Sequence, residues 1–235
     1  MESSALLNLL MSVALPRLER SLRLREVYSS ARSRPPLAIR LDGVRFGKAV
    51  SDYGLRSLDV HHALVEAARS VMEELGCCCG YVVSDEINVL CLDRVAYGGR
   101  IEKLVSISSG VASATASQIL GRKLFFDSRI VEFRSDSEVV SYVLYRARVG
   151  FNNFVSQLYH RVLGSRRATP KLVEMIEALR AVGIDVLSEP LWRSVGSSIV
   201  REVRERSHGR RGWRVAVYEG FQKCVECALS KLSLG

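Results

Sequence analysis

The chain has 235 residues, 48% of them hydrophobic and 25% charged, which excludes a chain too poor in apolar residues to bury a core and fits one large domain or a domain with a small appendage. The net charge is +9, carried by 28 Arg against only 6 Lys. Arg suits bidentate phosphate contacts, so a polyanionic partner stands beside a plain compositional bias. The opening "MESSALLNLLMSVAL" has no basic leader region, and its apolar run is too short to span a bilayer. A cytoplasmic protein without a membrane segment is expected.

In chain order, residues 1–34 read as an amphipathic helical lead-in, ended by "RSRPP", because a residue before Pro is pushed towards extended conformations. "LAIRLDG" alternates as a strand ending at Asp42-Gly43. Residues 58–75 carry apolar side chains at helical spacing, with Gly76 as the stop. "CCCGYVV" and "INVLCL" are two short apolar strands joined through Ser84-Asp85-Glu86. A helix over 101–120 follows, then a strand over 125–133. "SDSE" (135–138) is a capping-box pattern opening a helix through Tyr142–Arg146, and a separate helix spans 152–163. Thr169-Pro170 opens another helix that Gly183 ends. "SSIVREVRERSHGRRGWRVAVYE" reads as a hairpin with a basic tip, before a final helix. The order β-α-β-β-α-β defines an α/β fold with a ferredoxin-like core. We divide it into a lead-in (1–34), a catalytic unit (35–164), and C-terminal helices with a basic hairpin packed on that unit (165–235).

The six cysteines are read as reduced, buried small hydrophobes. Cys224-x-x-Cys227 stands alone inside a helix, and the run Cys77–Cys79 lacks the spacing of a zinc ligand set. His61 and His62 are read as capping or facing solvent, and Tyr142, Tyr145, Tyr159, Trp213 and Tyr218 as packing residues. The chemistry concentrates instead on carboxylates. In the split arrangement the strand ending at Asp42 lies beside the hairpin carrying Asp85 and Glu86. Arg40 shares a face with Asp42. Acidic groups brought together repel unless cations sit between them, and hard oxygen ligands suit Mg²⁺. The residues alone leave a metal site and a salt-bridged hairpin tip equally open.

Several ordered blocks resemble those of the tRNA-His guanylyltransferases and their archaeal and bacterial relatives, which polymerise in the 3′-to-5′ direction. They are "IRLDGVRF" (39–46), "VMEELGCCCGYVVSDEINVL" (71–90), "GGRIEKLVSISSGVASATAS" (98–117), "FFDSRIVEF" (125–133), "VVSYVLYRARVGFNNF" (139–154) and "EPLWRSVGSSIVRE" (189–202). The similarity is to the archaeal branch in particular. It implies a polymerase-type palm and two Mg²⁺ ions held by Asp42, the Gly43 carbonyl and Asp85, with Glu86 in a supporting catalytic role. It further implies nucleotide contacts from Arg45, Phe46, Arg56, Ser84, Arg100, Lys103, Arg129 and Asn152, with GTP and ATP as substrates. The implied partner is tRNA, and the implied assembly a homo-tetramer.

The departures from the pattern are Val44, Gly99, Val149, Gly150 and Ser156. They leave the metal ligands in place and thin the residues facing RNA and the activation site, so templated addition at a tRNA 5′ end fits better than the full eukaryotic activity. Arg201, Arg204, Arg206, Arg210, Arg211 and Arg214 form the expected phosphate-contact surface. The competing readings are a nucleotide cyclase-like enzyme and a non-catalytic palm that only binds RNA.

Overall fold

The computed structural model describes residues 2–164, 170–206 and 210–232. Its first helices, α1 (Glu2–Met11) and α2 (Leu15–Arg23), bury no described side chain. Strand β1 (Leu37–Gly43) follows, then the single turn α3 (Phe46–Ala49) and helix α4 (Leu58–Leu75). Helix α4 starts where the Ser57 hydroxyl accepts the Asp59 N–H, and it stops at Gly76 in the left-handed region (φ 70°). Its apolar stripe of Val60, Ala63, Leu64, Ala67, Val71 and Leu75 is buried, as the helical spacing requires.

Strands β2 (Cys79–Val83) and β3 (Glu86–Cys91) form a two-residue-loop hairpin. Helix α5 (Ile101–Leu120), strand β4 (Phe126–Glu132) and helix α6 (Asp136–Leu163) complete the core. Beyond it come α7 (Leu172–Ala181), the short α8 (Leu191–Ser194), strands β5 (Ser197–Arg206) and β6 (Arg210–Glu219), and helix α9 (Gln222–Leu232).

The strands form one sheet in the order β4-β1-β3-β2-β5-β6, with every pairing antiparallel. The first four are the ferredoxin-like core expected from the sequence. The basic hairpin is no separate appendage: β5 pairs with β2, so Tyr81 lies opposite Ser198. Alternation along each strand splits the interior into two layers. Leu37, Ile39, Leu41, Val82, Ile87 and Val89 pack under α4 and α5. Ala38, Tyr81, Val83 and Leu90 pack under α6 and α9 with Val139, Val143, Ala147 and Ala228. Each fully buried Leu or Ile in these layers stabilises the fold by about 1.5–3 kcal/mol.

The structure corrects several local expectations. The two helices expected over 135–163 are one continuous α6, and Gly150 does not break it. At Gly150 a Cβ would sit 2.1 Å from Val83 Cγ2, so the absent side chain lets α6 lie directly on the β2–β3 hairpin. The capping box is not formed as drawn. Glu138 accepts the Arg134 N–H (2.7 Å), and Ser135 pairs with the Ser137 hydroxyl. Helix α7 is capped at Lys171, while the expected cap Thr169 lies outside the described residues.

The cysteines depart furthest from expectation. Cys77 and Cys91, at the open end of the β2–β3 hairpin with their Cα atoms 4.6 Å apart, form a disulfide. Among the aromatic residues, Trp213 and Tyr145 are exposed rather than packed.

Candidate active site

Three strands meet at one end of the sheet, and their register decides which acids face each other. Asp42 lies opposite Glu86 on β3 and opposite Asp127 on β4. Asp85 occupies the β2–β3 turn, where its carbonyl accepts the Gly43 N–H (3.2 Å) and ties the turn to the end of β1. Ser84, at φ 58°, makes the bend. Gly43 has no room for a side chain, since a Cβ there would lie 2.6 Å from Phe46 Cβ. This close packing draws α3 under the strand end.

Electrostatics separate the acids. Glu86 is 4% exposed and fully engaged. It accepts from Arg40 Nε (2.8 Å), from Arg146 through both carboxylate oxygens, and from Asn88 Nδ2 (2.8 Å). Tyr142 in turn donates to Asn88 Oδ1 (2.5 Å). With its lone pairs used by two guanidiniums and an amide, Glu86 is a charge-neutralised strut between β1, β3 and α6, and it has little left to offer a cation.

Asp42 is different. Burial, then the neighbouring Asp85, push its carboxyl above the usual range, with Glu86 and Asp127 adding to the effect and Arg40 opposing it. The Arg40–Asp42 contact is long (3.4 Å), and Asp127 Oδ1 is buried without a hydrogen-bond partner. Asp42 and the neighbouring Asp85, brought together at the Gly43 end of β1, offer hard oxygens of the kind Mg²⁺ prefers. The donor chemistry therefore fits the expected metal.

Asp85 and Ser84 also line a cavity of about 480 Å³ with Phe46, Arg56, His61 and Trp192. Arg56, at φ 50°, donates to the carbonyls of Gly150 (2.8 Å) and Arg193 (3.0 Å) and lies over the Phe154 ring. Its buried Nε has no partner, and burial pushes its pKa down to about 10. His61, expected at the surface, is a wall of this cavity. Its Nε2 is 2.9 Å from Ser197 Oγ and its ring packs on Trp192. Burial and then Arg56 push it down to about 4, so it is neutral at pH 7. Gln157 and Arg161, one helical turn apart on α6, complete a polar side. His61, Gln157, Arg161 and Trp192 had no role in the sequence reading. Only the (i, i+4) pairing of Gln157 with Arg161 is visible there in retrospect.

The structure gathers Asp42, Gly43, Phe46, Arg56, Ser84 and Asp85 at this end, and it does not gather all of the expected nucleotide contacts. Arg45 is exposed beside α3. Arg129 lies opposite Arg40 and pairs with Asp127 (3.1 Å). Asn152 on α6 has a buried Oδ1 without a partner. Arg100 and Lys103 start α5 next to the Leu37 end of β1, as the Arg32–Arg100 bridge and the Ser33–Gly99 and Ser33–Glu132 bonds show. One strand length of roughly 20 Å separates them from Asp42. The βαβ crossover forces this placement, because β3 runs antiparallel to β1 and delivers α5 at the far end. Gly99, at φ 72°, stands where a Cβ would lie 2.2 Å from the Ser33 carbonyl oxygen, so an Arg does not fit this turn.

On the hairpin, Arg201 stacks over the exposed Trp213 and Arg214 pairs with Glu202 (2.8 Å). The side chains of Arg204, Arg206, Arg210 and Arg211 lie outside the described residues.

An antiparallel β4-β1-β3-β2 sheet with carboxylates at the β1 end and the adjacent turn has the palm arrangement of nucleotidyl-transferring enzymes. The family model for tRNAHis guanylyltransferase matches residues 20–143, half of the chain, and the chain belongs to that family of nucleotidyltransferases. No curated protein matches it significantly by sequence. Among solved structures, a bacterial tRNA(His) guanylyltransferase-like protein in complex with ATP superposes with TM-score 0.78 at 19% identity, over 92% of this chain and 99% of that one. A bacterial protein of the same description in complex with GTP gives 0.69 at 21% identity, over 84% and 89%. The tRNA(His) guanylyltransferase of Saccharomyces cerevisiae gives 0.62 at 15% identity, over 76% and 91%. Among the described residues no helix is long and apolar enough to cross a membrane.

Proposed function

We propose that this chain adds nucleotides to the 5′ end of tRNA in the 3′-to-5′ direction, with two Mg²⁺ ions and nucleoside triphosphates (GTP or ATP) as co-substrates. The observation that carries the reading is the proximity of Asp42 to Asp85, whose carbonyl accepts the Gly43 N–H, with Asp85 lining a nucleotide-sized cavity. Asp42, Asp85 and the Gly43 carbonyl would hold the metal, which when bound supplies acidity to an attacking hydroxyl and neutralises leaving phosphate.

The remaining work falls to side chains. Trp192 and His61 offer flat faces against which a base can lie. Arg161 has no ion-pair partner among the described residues and is available to a phosphate. Arg56 keeps its guanidinium fixed on two carbonyls, so its charge is held in one direction before substrate enters. Glu86 positions β1 and β3 through its ion pairs with Arg40 and Arg146.

The exposed Trp213–Arg201 pair supports the hairpin as the tRNA-facing surface. The exposed Leu18 and Leu22 of α2 suit an interface in the expected homo-tetramer.

The test is 5′ extension. The protein is incubated with Mg²⁺, labelled nucleoside triphosphates and 5′-truncated tRNA bearing a mono- or triphosphate. A product longer at its 5′ end, with the added base following the opposing one, supports the reading. No product from 5′-triphosphorylated tRNA, in a preparation that binds both tRNA and Mg²⁺, sinks it.

A further inference from the structure

At the end of the β2–β3 hairpin away from Asp85, four of the six cysteines converge from two distant parts of the sequence. Cys78 and Cys79 precede and begin β2, and Cys224 and Cys227 lie one turn apart on α9. Strict alternation would send Cys78 to the α4–α5 side of the sheet. A bend at Cys78 breaks the pleat, and both Cys78 and Cys79 enter the layer under α9. The Sγ atoms of Cys78 and Cys79 are 3.4 Å apart, and those of Cys78, Cys79 and Cys227 all lie within 4.8 Å of one another. Cys224, with no exposed surface, places its thiol against that of Cys79.

We propose that these cysteines form a structural zinc site, with Cys78, Cys79 and Cys227 as ligands and Cys224 completing a tetrahedral thiolate set. Zinc–sulfur bonds of about 2.3 Å in a tetrahedron put the sulfurs roughly 3.8 Å apart, a spacing that lies between the separations seen here. A disulfide consumes sulfurs in pairs at about 2.05 Å, and three thiols in mutual contact do not resolve into one pair. The surroundings are largely apolar (Val139, Val143, Leu92 and Ala228 share the layer), with Cys78, Cys79 and Cys224 buried and Cys227 partly so. A set of four thiolates there marks a structural site, not a catalytic one. Soft thiolate donors select zinc over Mg²⁺, which belongs to the oxygen ligands at the other end. The bound ion would pin α9 to the first residues of β2.

The test uses the full chain, purified with a reductant and without chelator, and does not depend on the enzymatic reading. Elemental analysis is expected to find about one zinc per chain. Exchange into Co²⁺ is expected to give the thiolate charge-transfer absorption and intense visible bands of tetrahedral sulfur coordination. Cys79→Ser and Cys227→Ser are expected to lose the metal, while Cys77→Ser and Cys91→Ser, whose sulfurs lie outside the cluster, retain it. A folded wild-type protein that neither contains zinc nor gives thiolate bands with added Co²⁺ overturns the proposal. So does an intact mass showing disulfides within the set Cys78, Cys79, Cys224 and Cys227. The wild-type measurements decide the question even if a variant fails to fold.

Discussion

The two ends of the β2–β3 hairpin present opposite chemistry on the same two strands. The turn end carries Ser84, Asp85 and, across on β1, Asp42: hard oxygens that are only partly compensated and open to a cavity. The open end carries Cys78 and Cys79 with Cys224 and Cys227: soft sulfurs, three of them buried and Cys227 partly so. The under-compensated charge is gathered beside the cavity, and the cysteine cluster lies one strand length away on the same two strands.

The largest effect should come from the turn end. Asp85→Asn is expected to lower 5′ extension on the order of 10²-fold or more, with the melting temperature nearly unchanged; a variant as active as wild type breaks the site assignment. Asp42→Asn should be equally inactive but more stable than wild type in the absence of metal. The sign follows from linkage: a folded carboxyl pKa above the unfolded value gives stability that is present below the unfolded value and lost as pH rises through the folded one. The gain should therefore appear at neutral pH and vanish in acid, as read by thermal melts across pH.

Glu86→Gln tests the strut between the two ends. It leaves two arginines facing a neutral amide, and chemical denaturation should show a loss of about 3–5 kcal/mol, with activity falling through misplacement of β1. A smaller effect comes from His61. Its pKa is pushed down to about 4, so the folded state is fully favoured above the usual histidine value and loses ground as pH falls from about 6.5 towards 4. A His61→Gln protein should show a shallower decline in stability over that window; an identical slope would remove His61 from the cavity wall. The smallest expected effect lies on the hairpin. Trp213→Ala should weaken tRNA binding by about 1–3 kcal/mol if the ring stacks on a base, and Arg201→Ala should reduce the salt dependence of binding by about one counterion, both measured by titration at several salt concentrations.

What could be read from sequence followed local rules. Asp42-Gly43 at a strand end, Gly76 as a helix stop and the two-residue turn at Ser84-Asp85 are written in alternation and punctuation, and the structure has all three. What could not be read was set by residues distant in sequence. The resemblance gives Glu86 a supporting catalytic role beside Asp85, and only the fold brings Arg146, sixty positions on, to its oxygens. Arg100 and Lys103 matched a family motif, yet crossover direction delivers them to the other end of the sheet. Gly150 stands in the sequence only as a departure from the family pattern, because its contact is with Val83, in a different element. The cysteines looked unrelated because the segments that bring them together are about 150 residues apart in sequence.

Strand β2 is five residues long and is paired on both edges, by β3 and by β5. It is therefore a spacer of fixed parity. An insertion of one residue would turn every downstream side chain of β2 to the opposite layer, so Cys79 and the Ser84-Asp85 turn could no longer both keep their orientation. Only insertions or deletions of two would preserve both faces, and each would slide the basic hairpin along the sheet by roughly 7 Å relative to the carboxylates. The distance from the basic hairpin to the carboxylate end is in this way quantised by the length of one buried strand.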